Sequence, residues 1–166
     1  MVKLVKTNPL NLSYLEKLGF KWHTDSDYTS YVSNELVVLS EDEANNYAQV
    51  ANELYNMFVE AGEYVIENNL FHEIGIPFNL VDLIKESWEE DVHWHLYGRF
   101  DFAGGIDNQP IKLLEFNADT PTALFESAII QWAILKQNKL DELKQFNFIY
   151  EAIVDNFKRL VTLEED

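Results

Sequence analysis

The chain has 166 residues, 47% of them hydrophobic and 25% charged, which is typical of a globular domain and excludes a largely disordered protein. Its net charge of −17 argues against nucleic acid or an anionic membrane as a direct partner, because both require a basic face. There is no cysteine, which excludes disulfides, thiolate catalysis and thiolate metal sites.

The acidic surface permits a cationic partner such as a polyamine or a metal ion, and solubility alone is the alternative explanation. No apolar run reaches the roughly 18 residues that a membrane span needs. Residues 1–4 also lack the apolar core of a signal peptide. The sequence therefore predicts a cytoplasmic protein with no membrane partner.

The first half of the chain predicts a short helix, a strand and a long helix. The short helix covers residues 13–18 and ends at Gly19, and the strand covers residues 31–39. Residues 40–43 read S-E-D-E, which is a capping box. Apolar residues then recur at helical spacing, at Tyr47, Ala51, Leu54, Phe58 and Val65. This pattern predicts a helix with a core-facing stripe that reaches about residue 69.

The second half predicts a helix over residues 80–90, capped by Asn79, and then a hairpin. Its two strand-like runs cover residues 92–102 and 111–116, with turn residues at 104–108. Two further helices are predicted over residues 123–136 and 141–163. The order favours an α/β or α+β fold, with a small mixed, partly antiparallel sheet flanked by helices. No linker-like stretch divides the chain, so residues 1–166 are predicted to form a single domain.

The hairpin is predicted to gather polar side chains on one face. Side chains alternate along a strand, so Arg99 shares a face with Asp101, and Glu115 shares a face with Asn117. A register that pairs Asp101 with Glu115 also pairs Arg99 with Asn117, and a bulge in the turn would shift it. The apolar side chains then point the other way, and they are Phe100, Phe102, Leu114 and Phe116.

Two acidic side chains that face each other repel, and a cation would offset the repulsion. Mg²⁺ prefers carboxylate and amide oxygens, which Asp101, Glu115 and Asn117 offer. Arg99 is able to hold a phosphate or a carboxylate through its planar fork of donors. The alternative is a solvated hairpin face with an ordinary ion pair between Arg99 and Asp101.

A second candidate metal pair is His93 with His95, which share one face of the predicted strand. No third ligand lies nearby in the sequence. A surface pair or a hydrogen-bonded pair of imidazoles is therefore the favoured interpretation.

The segments YGRFDF (97–102) and LLEFNADTPT (113–122), followed by Glu126 and Gln131-Trp132, resemble the hallmark of the glutathionylspermidine synthase family. Residues 24–132 are similar to that family as one collinear stretch. The resemblance implies an ATP-grasp carboxylate–amine ligase. Such enzymes activate a glutathione-like peptide carboxylate as an acyl phosphate, which the amine of a spermidine-like polyamine then attacks.

The resemblance also implies roles for individual residues. Arg99 matches the catalytic arginine that binds the transferring phosphate of ATP, and Asp101, Glu115 and Asn117 match the Mg²⁺ ligands. Thr120 and Thr122 match small hydroxyl positions near the peptide substrate, which are serines in the best-known bifunctional members. Glu126 falls at the start of the matching helix, where a structural role is the alternative.

In the family, the nucleotide-binding region lies downstream of the hallmark, and this chain has no G-x-x-x-x-G-K-[ST] pattern. We therefore expect a partial synthetase domain that lacks the ATP-grasp half, is inactive alone and needs a second chain carrying that half. One alternative is a non-catalytic assembly module that docks a partner chain or forms a homo-oligomer. Another is a family remnant that binds only small cations or polyamines.

Overall fold

The computed structural model describes residues 3–90 and 96–165. Within these ranges, five α-helices combine with two small antiparallel sheets of two strands each, which confirms the α/β class. The strands are β1 (Lys3–Lys6), β2 (Glu35–Val38), β3 (Arg99–Ala103) and β4 (Lys112–Asn117). The helices are α1 (Leu12–Lys17), α2 (Glu41–Glu67), α3 (Val81–Glu89), α4 (Gln131–Gln137) and α5 (Ile149–Glu165). None of the helices in these ranges is both long and apolar enough to cross a bilayer.

The chain divides into two compact units. The first comprises Met1–Glu41 with Ala123–Ala152, and the second comprises Asp42–Thr122 with Ile153–Asp166. That residues 1–166 form a single domain stays a prediction.

The first unit is built on a small apolar core. Leu15 of α1 and Phe20 pack with Ile130 and Ile134, and all four side chains are buried. The Asn11 side chain accepts hydrogen bonds from the first backbone N–H groups of α1 and so caps this helix. The β1–β2 pair completes the unit. The sequence patterns did not predict β1, because four residues are too few to show alternation.

The second unit packs the β3–β4 hairpin against α2. The hairpin turn contains Asp107 and Asn108 with positive φ angles of 52° and 60°, as the turn residues in the sequence indicated. α2 supports this turn in two places, since the Tyr47 hydroxyl donates to the Gly104 carbonyl and the Glu43 carboxylate accepts from the Asp107 N–H. The long helix therefore fixes the loop as well as the strands.

Three expected element boundaries differ from the structure. A 3₁₀ turn (Phe78–Leu80) precedes α3, and Leu80 occupies the N-cap without a side-chain cap, so the prediction that Asn79 caps this helix is wrong. β2 covers only the last part of the predicted strand 31–39. β3 starts at Arg99, and residues 92–95 of the predicted strand lie outside the described residues.

The helix predicted over residues 141–163 is interrupted. A 3₁₀ turn (Glu142–Lys144) is followed by α5, which begins only at Ile149. The helix before it contains a π segment, Glu126–Ile130. The side-chain amides of Gln145 and Asn147 donate to the carbonyl of Ser127, and Gln145 also donates to that of Ala128. These hydrogen bonds fix the non-helical residues before α5 against the π segment, whose irregular turn leaves carbonyls free to accept from side chains.

Candidate functional site

The hairpin has the register that gathers its polar side chains. Asp101 pairs with Glu115 and Arg99 pairs with Asn117, as predicted. A bulge follows directly after Asp101, so that Phe102 pairs with Leu113 rather than with Leu114. The irregularity therefore lies within the strands, beside the polar residues, and not in the turn.

The aromatic side chains occupy the opposite face, which packs on α2. Ring centroids of Phe100 and Phe116 lie 4.2 Å apart, and Phe58 of α2 lies 4.8 Å from Phe116. Phe102 lies 5.7 Å from Phe100. Leu114 was expected on this face, but it is the extra residue at the bulge and its side chain is 68% exposed. This aromatic packing holds the polar face in register.

Arg99 is the centre of the polar face. Its Nε and Nη2 donate to the two oxygens of Asp101 at 2.6 and 3.2 Å, and Nη1 donates to Oγ1 of Thr122 at 2.8 Å. Nη2 also lies 3.6 Å from Oε1 of Glu115. The hydrogen bond to Asp101 is the main cause that raises the pKa of Arg99 above its ordinary value, so its guanidinium remains charged.

The charges on this face do not cancel. One positive guanidinium stands beside the two carboxylates of Asp101 and Glu115, which leaves one net negative charge on the cluster. The side chains of Arg99, Asp101 and Glu115 are 29%, 40% and 53% exposed. A soluble cation or an anionic ligand therefore has access to the cluster from solvent.

The loop after β4 is shaped by Asn117. Its Oδ1 accepts from the backbone N–H groups of Asp119 at 3.2 Å and Thr120 at 3.0 Å, which is an Asx turn. The loop then returns to the hairpin, where Tyr97 donates its hydroxyl to the Thr122 carbonyl at 3.4 Å. The structure thus brings together Arg99, Asp101, Glu115 and Thr122. Thr120 contacts Asn117 through its backbone N–H.

Two of the three predicted metal ligands, Asp101 and Glu115, are placed to bind a hard divalent cation. Asp101 and Glu115 offer carboxylate oxygens on one face, and each carboxylate has lone pairs beyond those that Arg99 uses. The amide oxygen of Asn117 already accepts two N–H groups, so it would ligate a metal only after releasing one of them. Over the described residues, no group of three or more histidine, aspartate and glutamate side chains is arranged to hold a metal ion.

Two other candidates from the sequence lie elsewhere. His93 and His95 are outside the described residues. Glu126 belongs to the first unit, where its Oε1 accepts from Trp22 Nε1 at 3.2 Å and from the Tyr31 hydroxyl at 3.3 Å. The sequence patterns did not connect these residues, because Trp22 and Tyr31 precede Glu126 by 104 and 95 positions and carry no local signal.

The family model described as glutathionylspermidine synthase preATP-grasp matches residues 2–166. Over 158 residues the chain is 32% identical to a Haemophilus influenzae protein described as an acid–amine ligase, covering 93% of this chain and 39% of that protein. It is 27% identical over 146 residues to the bifunctional glutathionylspermidine synthetase/amidase of Escherichia coli, covering 79% of this chain and 23% of that protein. It is 28% identical over 123 residues to the glutathionylspermidine synthase of Crithidia fasciculata, covering 70% of this chain and 17% of that protein. The chain spans less than half the length of each relative.

Proposed function

The chain belongs to the glutathionylspermidine synthase family, whose preATP-grasp model it matches, and on this premise we propose that it is part of an ATP- and Mg²⁺-dependent ligase. This ligase joins the carboxylate of a glutathione-like peptide to an amine of a spermidine-like polyamine. The names of its relatives, which include an acid–amine ligase and a glutathionylspermidine synthase, support this reaction class.

One observation carries the proposal for this chain's own residues. The cross-strand register places Asp101 opposite Glu115 beside Arg99, and the Arg99 guanidinium contacts Asp101, Glu115 and Thr122 at the same time. An ordinary surface ion pair needs only one acid. A face with a second acid, a retained negative charge and a forked cation suits a ligand that brings both a metal ion and phosphate oxygens.

In the proposed reaction, a peptide carboxylate oxygen attacks the γ-phosphorus of ATP and ADP leaves. The neutral amine nitrogen then attacks the acyl carbon of the acyl phosphate. Inorganic phosphate leaves with the electron pair of the acyl carbon–oxygen bond and takes up the proton that the nitrogen loses. Negative charge is concentrated on the phosphoryl oxygens during the first step, and catalysis there consists largely of neutralising and positioning that charge. Mg²⁺ would supply charge neutralisation when bound.

Each residue on the hairpin face has a defined task in this proposal. Arg99 binds the phosphoryl oxygens through the donors that now hold Asp101 and Thr122. Asp101 and Glu115 would provide carboxylate oxygens for Mg²⁺, and Asn117 would join them after releasing one of its two N–H donors. Thr120 and Thr122 line the peptide side. The Thr122 hydroxyl, which now accepts from Arg99, is released when this donor turns to the phosphoryl oxygens.

The proposal includes a nucleotide-binding half, provided either by the same polypeptide or by a second chain. We expect no turnover from residues 1–166 in isolation. The net charge of −17 favours the approach of a cationic amine. A test of this part measures ADP release with peptide and polyamine, with and without the nucleotide-binding half. ADP release by residues 1–166 without that half would contradict it.

The metal assignment is tested by calorimetric titration of the chain with Mg²⁺. Asp101→Asn and Glu115→Gln remove one ligand charge each while keeping the side-chain shape, and both should weaken binding. Asp155→Asn is the matched control, because Asp155 also pairs with a basic side chain, at 2.9 Å from Lys158, but far from the hairpin in sequence. Equal Mg²⁺ binding by all three variants and the unmodified chain would show that the hairpin holds only an ion pair.

A further inference from the structure

Four aromatic side chains of the first unit form a cluster around Phe20. Phe20 is fully buried, and its ring centroid lies 4.5 Å from that of Trp22, 5.8 Å from that of Tyr31 and 5.7 Å from that of Phe125. Trp22 and Phe125 are 5.8 Å apart. Trp22 and Tyr31 are about half exposed, at 48% and 49%. Phe20 therefore forms the floor of a cluster whose outer rings reach solvent.

A carboxylate closes one side of this cluster. Glu126 Oε1 accepts the indole N–H of Trp22 and the hydroxyl of Tyr31, so both donors converge on one oxygen. The charge of Glu126 raises the pKa of Tyr31, which keeps the phenol protonated as a donor. Within residues 3–90 and 96–165, no lysine, arginine or histidine side chain pairs with Glu126 or lies over the Trp22 ring. The negative charge is thus left without a cation from the described part of the chain.

The same unit contains a similar arrangement in which a cation is present. Trp132 Nε1 donates to Glu142 Oε2 at 2.6 Å, and the Lys136 ammonium lies 4.3 Å from the centroid of the Trp132 ring. An indole whose N–H is bonded to a carboxylate carries more negative charge on its face, which strengthens its attraction for an ammonium group. An ammonium group, supplied by the same helix, thus lies against one indole–carboxylate pair of this chain.

We propose that Trp22, Tyr31 and Glu126 form a binding site for an alkylammonium group. The ring faces of Trp22 and Tyr31 attract the positive charge and contact its alkyl carbons. Glu126 Oε2 accepts from the ammonium, while Oε1 stays bonded to the two rings. The site lies in a different unit from the hairpin and does not depend on the proposed ligase function.

The test is a titration of the ¹⁵N-labelled chain with n-butylammonium chloride, in which the indole N–H signals are followed by NMR. The Trp22→Phe variant assigns the Trp22 signal. We expect that signal to shift saturably, whereas the Trp132 signal stays in place because Lys136 covers that ring. 1-Butanol and NaCl serve as the neutral and the ionic control. A Trp22 shift of equal size with either control would overturn the proposal.

Glu126→Gln separates charge from structure. The amide oxygen of glutamine still accepts both hydrogen bonds, so the midpoint of thermal unfolding should hardly change, whereas n-butylammonium affinity should fall by at least about threefold. Unchanged affinity would overturn the proposal. If this variant fails to fold, Trp22→Leu replaces it, because Trp22 is half exposed, and binding that survives the loss of the ring would count against the site.

Lys136→Ala provides the converse experiment. It removes the ammonium from Trp132 but leaves the Glu142 carboxylate bonded to the indole N–H. We expect added n-butylammonium to shift the Trp132 signal in this variant and to leave it unmoved in the unmodified chain. If no shift appears, an indole–carboxylate pair is not sufficient for ammonium binding in this chain, and the inference fails.

Discussion

Arg99 contacts three side chains because its guanidinium presents donors in a fixed planar fork. A lysine at this position keeps the charge but cannot span Asp101 and Thr122 together. For Arg99→Lys we expect ADP formation, measured with the nucleotide-binding half present, to fall by about tenfold to hundredfold, since such donors act on the charge that develops in the reaction. Arg159→Lys, at the other arginine, is the control and should retain activity. Equal rates for the two variants would rule out a special role for Arg99.

Asp27 offers a pH-dependent test in the first unit. The Thr29 hydroxyl donates to its carboxylate at 2.6 Å and the Thr29 N–H at 3.0 Å, and these bonds lower the pKa of Asp27. A lowered pKa in the folded state adds stability above the carboxyl's unfolded pKa of about 3.9, and this stability is lost as pH falls through the folded value.

Thr29→Val removes the hydroxyl and keeps the N–H. We therefore expect the pKa of Asp27 to rise, and the fall in stability between pH 5 and pH 2 to become smaller. Carboxyl ¹³C NMR measures the first effect, and urea unfolding over that pH range measures the second. Thr162→Val is the control, because its hydroxyl donates to the carbonyl of Lys158 within α5. An unchanged Asp27 titration in Thr29→Val would contradict the assigned cause.

The face of the hairpin on which each polar side chain lies could be predicted from the sequence, but the hydrogen bonds of these side chains could not. Alternation groups Arg99 with Asp101 and Glu115 with Asn117, because the period of a strand is fixed at two. The register that pairs Asp101 with Glu115 then brings both groups to one face. The bond from Arg99 to Thr122 depends on how the loop after β4 returns, and that path is set by the Asx turn at Asn117. The hydrogen bonds of Glu126 could not be predicted either, because its two donors come from a distant part of the sequence.

At the scale of elements, the hairpin turn depends on glycine. Gly104 has a φ of +81°, and a Cβ there would overlap the carbonyl oxygen of Pro110. Gly75 has a similar φ of +79°, but a Cβ there would meet nothing within 4 Å. Gly75→Ala should cost about 1–2 kcal/mol of unfolding free energy for the left-handed backbone alone. Gly104→Ala should cost at least about 2 kcal/mol more, because the Pro110 backbone cannot yield as a side-chain end does.

Urea unfolding of the two glycine variants measures both costs. Equal free energies of unfolding would show that the turn opens to accommodate the methyl group, and the hairpin register would then not depend on Gly104. Chemical shifts of the β3 and β4 amides distinguish the two cases, because an opened turn would alter the pairing next to it.

Element types followed from periodicity, whereas irregularities within elements did not. The spacing of apolar residues predicts α2 and the helix that contains α4, but the π segment has only five residues, which is too few to show its own period. The sequence also gives no sign of the bulge after Asp101. Leu113 and Leu114 are the same residue type, so only the strand pairing shows that Leu114 is the unpaired residue. The break before α5 depends on side-chain amides that bond carbonyls about 17 to 20 residues away.

At the scale of the whole molecule, the net charge of −17 affects the binding of every cation. Like charges on one folded chain repel, and this repulsion destabilises the compact state until salt screens it. The screening distance falls from about 30 Å at 0.01 M salt to about 10 Å at 0.1 M. Any cation will therefore stabilise the chain to some extent, and a specific site must be shown above that background.

We expect NaCl to raise the midpoint of thermal unfolding by about 2–4 °C between 0.01 M and 0.1 M, which corresponds to roughly 1 kcal/mol for a chain of this size. MgCl₂ at matched ionic strength should raise it further, because a ligand that binds only the folded state adds its binding free energy. That additional increase should disappear in Asp101→Asn and Glu115→Gln and persist in Asp155→Asn. If MgCl₂ and NaCl act alike at equal ionic strength, the acidic surface accounts for the whole cation effect and the hairpin holds no metal site.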